Sequence, residues 1–270
     1  MHDENDDVHI AAALKSIAAV PYMRAGGVSL GSEWSSLRPD EVDAAVHQHL
    51  EKVQAAGGNG RVLDLGCAYA ARLARYAESG VETIGVDLAE VAEKIDETNA
   101  KLKAAGKPPI TFIQSDVRKL DPADFQADNF TAIISTQVIH FMNRDDAILF
   151  LKFIKEIAKP DTLICISFQV STTASADPAI IANDKVLWEE RLASLQDFQD
   201  AGVRPVLGPL QLQHYQPDSV IHIAEKIGLK VHASSVTGFV CSLIASAEDN
   251  PIFHSQPKMR AANPVGPSPA

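Results

Sequence analysis

Four stretches of this sequence end an apolar run in small, acidic or polar residues, and each suits handling of a small polar ligand. The first is Val62-Leu63-Asp64-Leu65-Gly66-Cys67-Ala68-Tyr69-Ala70. Gly66 can take a positive φ without a Cβ penalty, and small neighbours let the backbone approach a ligand. A tight strand-to-helix turn with no ligand is the plainer alternative. The second is Asp87. A carboxylate about 20 positions beyond a glycine turn accepts hydrogen bonds from ribose hydroxyls. It also suits the cap of a helix starting near Leu88. The third is Phe112-Ile113-Gln114-Ser115-Asp116-Val117, and the fourth runs from Phe130 through Ser135, Thr136 and Gln137 to His140, Phe141 and Met142. The His140 imidazole ordinarily titrates near neutrality, which suits a general base. A structural histidine packed beside the loop is the other reading.

These turns need a scaffold that brings them to one edge. Apolar runs at Arg61–Leu65, Val81–Val86, Ile110–Gln114, Phe130–Ser135 and Leu163–Phe168 read as strands. Between them, Tyr69–Glu78, Leu88–Ala105 and Arg144–Ala158 carry apolar residues at helical spacing. Such alternation implies a parallel sheet with right-handed crossovers and helices on both faces. Ligands of such sheets bind beyond the carboxyl ends of the strands, which is where the four turns fall. The alternation stops after a helix at Pro217–Ile227. Lys230–Val236 and Phe239–Ala245 are joined only by Thr237-Gly238, too short for a parallel crossover, so they should pair antiparallel.

The formal net charge of −11, with no dense Lys/Arg block, argues against sequence-independent binding of nucleic acid. No apolar run is long enough to cross a membrane. The acidic start does not resemble a secretory signal. Cys67, Cys165 and Cys241 are far apart and odd in number, and read as reduced thiols in a cytoplasmic protein. The histidines are scattered, and no metal-binding constellation is expected. No Gly-x-Ser-x-Gly elbow and no phosphate-binding Gly-Lys-Thr loop are found. Residues 1–9 read as a disordered acidic N-terminus. Residues 10–58 read as a helical lid segment, 59–248 as the main domain with a cap insertion at 171–215, and 249–270 as a flexible Pro-rich tail.

In order and spacing, these features resemble the class I S-adenosylmethionine-dependent methyltransferases of small-molecule type. Asp64 to Ala70 is similar to that family's Asp/Glu-x-Gly-x-Gly-x-Gly loop, with Ala68 and Ala70 where glycines are usual. The resemblance implies a Rossmann-like α/β fold, a mostly parallel seven-stranded sheet ending in an antiparallel hairpin. It implies S-adenosyl-L-methionine as cofactor, held by Asp64, Gly66, Cys67, Ala68, Asp87, Leu88, Asp116, Val117, Ser135, Thr136 and Gln137. Asp64 would fix the loop and reach the cofactor amine through water. Asp116 and the Val117 N–H would read the adenine, and Ser135 to Gln137 would line the sulfonium. Thr131 stands where the family usually has an acid, and Lys159-Pro160-Asp161-Thr162 where it usually has Pro-Gly-Gly.

The activity implied is methyl transfer to a small-molecule acceptor at an undetermined O, N or C atom, with His140 as candidate base. Tyr22 and Trp34 suit a lid over the ligand, or packing of helices onto the sheet. Trp188, His214 and Tyr215 in the insertion are assigned to substrate binding. The expected partner is the small-molecule substrate, with neither nucleic acid nor membrane, and homodimer formation is left open. The departures at Ala68, Ala70 and Thr131 keep a non-catalytic S-adenosylmethionine-binding protein as an alternative. An NAD-dependent oxidoreductase is a third reading. It is disfavoured by the missing glycines and the closing hairpin.

Overall fold

The computed structural model of the protein describes residues 24–25, 28–29, 40–87, 91–125, 129–142, 144–169, 217–237 and 240–248. The sheet has seven strands: β1 Arg61–Leu65, β2 Glu82–Asp87, β3 Ile110–Gln114, β4 Ala132–Thr136, β5 Leu163–Gln169, β6 Lys230–Thr237 and β7 Val240–Ser246. Their spatial order is β3-β2-β1-β4-β5-β7-β6. The first five pair in parallel, while β7 runs antiparallel to both β5 and β6. The chain reverses direction in space between β3 and β4, which places the switch point beside β1.

Five helices fall among the described residues: α1 Glu41–Ala55, α2 Ala71–Glu78, α3 Ala92–Ala104, α4 Arg144–Ile157 and α5 Pro217–Lys226. Two apolar clusters cover the sheet. Leu63, Leu65 and Ile133 join Phe150, Ile154 and Val220 of α4 and α5. Val62, Ala132, Ile134 and Cys165 join Val46, Leu73 and Ile95 of α1 to α3. Alternate strand residues face opposite sides, so Asp64 follows Val62 toward the α1–α3 face. Each large apolar side chain buried this way contributes about 1.5–3 kcal/mol.

The strand pattern matches the sequence closely, with differences at helix starts. The second crossover helix begins at Ala92 rather than Leu88, and its cap residue Val91 offers no side-chain hydrogen bond. Asp87 is therefore not its cap. Asn99 instead ties this helix to β3, donating to the Ile110 carbonyl and accepting from the Ile110 N–H. The lid expectation also changes. Helix α1 lies on the sheet, with Val42, Ala45, Val46 and Leu50 buried in the core, and belongs to the domain's packing. Arg24–Ala25 and Val28–Ser29 form a small antiparallel ribbon, not a helix. Leu88, Tyr22, Trp34, Trp188, His214, Tyr215, the insertion, the tail and the Gly238 turn lie outside the described residues.

Candidate functional site

The turn after β1 is held from below and from the side. The N–H groups of Gly66 and Cys67 both donate to the Val86 carbonyl, at 2.7 and 3.1 Å. Gly66 has φ +89°, and a Cβ there would lie 2.1 Å from Cγ2 of Val138. Only glycine fits between the first turn and the fourth. Ala68 and Ala70 take φ values of 48° and 57°. Both alanines thus adopt the left-handed conformation that glycine usually supplies, at about 1–2 kcal/mol each. Three residues of one short loop, Gly66, Ala68 and Ala70, therefore have positive φ. The Ala70 N–H closes the loop on the Cys67 carbonyl at 2.8 Å, and α2 starts at the next residue.

Asp87 meets this loop directly. Its Oδ2 accepts a hydrogen bond from the Ala68 N–H at 2.8 Å. Asp64 lies under the same loop, 3 % exposed, and its Oδ1 makes no hydrogen bond among the described residues. Burial pushes its carboxyl up to about 7, against the attraction of Arg72 and with the repulsion of Asp87. The Cys67 thiol is packed against Gly85, where a Cβ would lie 2.6 Å from its sulfur. Burial raises its pKa well above the ordinary value, so it stays protonated.

The third turn is adjacent, with the Ser115 N–H donating to the Asp87 carbonyl at 2.9 Å. Asp116 caps the 3-10 turn Val117–Lys119 by accepting from the Arg118 N–H. Its carboxylate also takes two-pronged hydrogen bonds from the Arg118 guanidinium, 2.9 Å from Nε and 2.7 Å from Nη2. That side-chain hydrogen bond holds its pKa below the ordinary value, so Asp116 is an anion here. At the fourth turn, Ser135 Oγ donates to the Leu65 carbonyl at 3.1 Å, joining β4 to β1. Gln137 has φ +59°, and its N–H donates to the Ser167 carbonyl of β5. His140 is 1 % exposed in the 3-10 turn Ile139–Phe141. Thr131, 8 % exposed, accepts from the Arg61 N–H and so fixes the start of β1.

One constellation was invisible to motif reading. Arg72, 2 % exposed, donates to Asp40 at 2.8 Å and lies 3.7 Å from Asp43. Arg75 and the Tyr76 hydroxyl also donate to Asp43, at 3.0 and 2.8 Å. Asp40 and Asp43 are reciprocally bonded as a capping box on α1. Burial works against both charges. For Asp43, Arg72, the Tyr76 hydrogen bond and Arg75 overcome it and leave the carboxyl below its ordinary value. For Asp40 burial wins and the pKa is raised. A capping signal at Asp40 is legible in sequence, but not the helix it would grip.

The structure thus brings together Asp64, Gly66, Cys67, Ala68, Asp87, Asp116, Val117 and Ser135 to Gln137 at the carboxyl edge of β1 to β4. Among the described residues no group of His, Cys, Asp and Glu could hold a metal ion. None of the described helices is long and apolar enough to cross a membrane.

Residues 62–161 match the family model described as a methyltransferase domain. Over those residues the chain is similar to a methyltransferase domain. The Bacillus subtilis (strain 168) protein named "Putative methyltransferase YqeM" is 30 % identical over 106 residues. That alignment covers 39 % of this chain and 40 % of the relative, so the chain matches well under half of that protein's length. A 1,6-didemethyltoxoflavin-N1-methyltransferase of Burkholderia thailandensis, solved with 1,6-didemethyltoxoflavin and S-adenosylhomocysteine, superposes with a TM-score of 0.55. It is 18 % identical, over 80 % of this chain and 79 % of that one. An O-methyltransferase family protein from the same organism gives 0.52 at 16 % identity, over 77 % of this chain and 59 % of that one. Magnesium protoporphyrin IX methyltransferase of Synechocystis PCC 6803, with bound S-adenosylhomocysteine, gives 0.50 at 16 % identity, over 77 % and 88 %. At these identities the likeness is one of fold.

Proposed function

We propose that this chain transfers the methyl group of S-adenosylmethionine to a small-molecule acceptor. The observation that carries the reading is the loop Gly66–Ala70. It keeps the left-handed path of a glycine-rich turn although two of those positions are alanine, and Asp87 holds it. The residues fit the cofactor. A buried Asp64 oxygen that makes no hydrogen bond among the described residues suits a nearby ammonium donor. The absence of a Cβ at Gly66 keeps the floor of the turn closed against Val138. Asp87 would accept from ribose hydroxyls, Asp116 and the Val117 N–H would meet the adenine, and Thr136 and Gln137 would line the reacting end. Leu88 would contact the adenosine.

When bound, the cofactor supplies an electrophilic methyl on a sulfonium, whose sulfur departs as a neutral thioether. The protein's part is to align an acceptor in line with that bond and to exclude water. Ser135 and Gln137 are fixed to β1 and β5, which makes the end of β4 a rigid platform. His140 would take the acceptor's proton where the acceptor is not already deprotonated. The acidic charge supports a small acceptor over nucleic acid, as does the small ligand bound in the 1,6-didemethyltoxoflavin-N1-methyltransferase. Tyr22 and Trp34 are proposed as lid residues, and Trp188, His214 and Tyr215 as substrate-binding residues. A cytoplasmic location fits the three buried free cysteines, Cys67, Cys165 and Cys241.

The test is calorimetric binding of S-adenosylmethionine, followed by mass-spectrometric detection of S-adenosylhomocysteine with a panel of hydroxy, amino and carbon-acid acceptors. Binding with acceptor-dependent turnover is expected. Absence of binding would overturn the reading. Tight binding without turnover on any acceptor would favour the non-catalytic binder, whose support is Thr131 in place of an acid.

A further inference from the structure

Asp116 is the proposed acceptor for the adenine amino group, yet its carboxylate already has three donors from one residue. The Arg118 N–H reaches Oδ1 at 3.0 Å, Arg118 Nε reaches Oδ1 at 2.9 Å, and Nη2 reaches Oδ2 at 2.7 Å. The first bond is local and caps the 3-10 turn Val117–Lys119. The other two form a fork, and Nε also lies 3.2 Å from Oδ2. A cap bond alone fixes one oxygen and leaves the carboxylate free to turn about its last torsion. A planar guanidinium bonded to both oxygens fixes the plane as well.

The guanidinium is itself held from the far side. Its Nη1 lies 3.4 Å from Oδ2 of Asp146, in the first turn of α4. Arg118 therefore ties the third turn to the helix that follows the fourth. The Arg118 side chain is 42 % exposed and that of Asp116 12 %. Ion pairs open to solvent contribute little to stability, and replacing an exposed Arg118 opens no core. What the fork changes is the geometry of an acceptor.

The acceptor count is then specific. A carboxylate offers about four lone-pair positions. Among the described residues, the Arg118 N–H and Nε occupy both on Oδ1, and Nη2 takes one on Oδ2. What is left on Oδ2 suits a single N–H of an amine. Kept ionised by the Arg118 hydrogen bond, Asp116 accepts and does not donate.

We propose that Arg118 is a positioning residue for cofactor recognition: its fork on Asp116 fixes the carboxylate plane and leaves Oδ2 one acceptor position for the adenine amino group. The proposal rests on the methyltransferase reading, which supplies the adenine. It makes Arg118 a determinant of specificity for a 6-amino purine over a purine without that donor. The opposite case is an Arg118 that competes with the purine for Asp116, and its removal would then strengthen binding.

The experiment is calorimetry at pH 7 on the full chain with two ligands, S-adenosylhomocysteine and its analogue with hydrogen in place of the 6-amino group. Wild type should prefer the amino compound about tenfold or more, the size of one hydrogen bond to a charged group. Arg118→Met keeps the backbone cap, and its preference should fall to about threefold or less, through weaker binding of the amino compound alone. A merely structural role would weaken both ligands equally. Arg118→Lys keeps the charge without the fork and should behave as Arg118→Met does. Adding Arg118→Met to Asp116→Ala should lower the preference no further. A wild-type preference in Arg118→Met or in Arg118→Lys overturns the proposal, and so does tighter binding of the amino compound by Arg118→Met. Binding of both ligands by wild type without preference also overturns it, and leaves the methyltransferase reading standing. Failure of wild type to bind either ligand overturns both.

Discussion

The Asp87 carboxylate accepts a hydrogen bond from the Ala68 N–H at 2.8 Å, so the end of β2 fixes the loop that follows β1. Asp87→Ala removes that anchor together with the proposed acceptor for ribose hydroxyls. Binding of S-adenosylmethionine should weaken at least tenfold, in line with about 1.5–3 kcal/mol for a charge-assisted hydrogen bond. Calorimetry on the folded variant checks this, and an unchanged dissociation constant would refute it.

Gly66 faces Val138 with no room for a methyl group, its virtual Cβ lying 2.1 Å from Cγ2. Gly66→Ala should destabilise the protein by about 1–3 kcal/mol through overpacking, with added strain at φ +89°. Adding Val138→Ala should recover the steric part and leave the backbone part. Urea unfolding of both single variants and the double variant separates the two. Additive losses would show that Val138 is not the obstacle.

Ala68 and Ala70 sit in the left-handed region. Glycine there relieves about 1–2 kcal/mol of strain, against about 0.4–1 kcal/mol of added unfolded-state entropy. Ala68→Gly and Ala70→Gly should therefore hold or raise the melting temperature. Ala100→Gly on the exposed side of α3 is the control and should lower it, by about 1 kcal/mol of helix propensity. Equal losses at all three sites would contradict the backbone geometry.

Asp64 gives a pH signature in stability. Its pKa in the folded state, about 7, lies above its ordinary 3.8. Between those values the folded chain keeps a proton that the unfolded chain has released. This group's contribution to stability therefore falls as pH rises from 3.8 to about 7. Asp64→Asn removes that slope, so relative to wild type the variant should gain stability at pH 8 over pH 5. Parallel urea titrations at the two pH values test it, and a constant difference would exclude Asp64 as the titrating group.

Tyr76→Phe deletes the hydroxyl that donates to Asp43 in a buried site and should cost about 1.5–3 kcal/mol. Asp43→Ala leaves the buried Arg72 with one carboxylate partner fewer and should cost about 3–5 kcal/mol. Chemical denaturation reads both. A negligible loss at Asp43 would mean that the cluster relaxes into solvent.

The sheet and its closing antiparallel pair were legible because strand periodicity is local. Arg61–Leu65 and Ile110–Gln114 fall where the apolar runs end, and the two residues between Thr237 and Val240 are too few for a parallel crossover, so β6 and β7 pair antiparallel. The order Gly66, Asp87, Asp116, Ser135 was readable because parallel strands put successive turns on one edge. What pairs across the chain was not. Asp87 reads in sequence as a ribose acceptor or a helix cap, yet it also accepts from the amide of Ala68. Asp116 looks like an unengaged acceptor, yet Arg118 grips it. Arg72 belongs to no motif, and its partner Asp40 comes from the cap of α1, far away in sequence. Ala68 and Ala70 read as lost glycines, because residue type reports which conformations are easy and not which one the surroundings impose.

That imposition has a consequence for ligand capture. Glycines would leave Gly66–Ala70 free to sample many shapes, to be narrowed only when a ligand arrived. Here the Val86 carbonyl, Asp87 and the Arg72-anchored start of α2 determine the shape during folding. The loop is preorganised, so the entropy of ordering it falls on folding rather than on association.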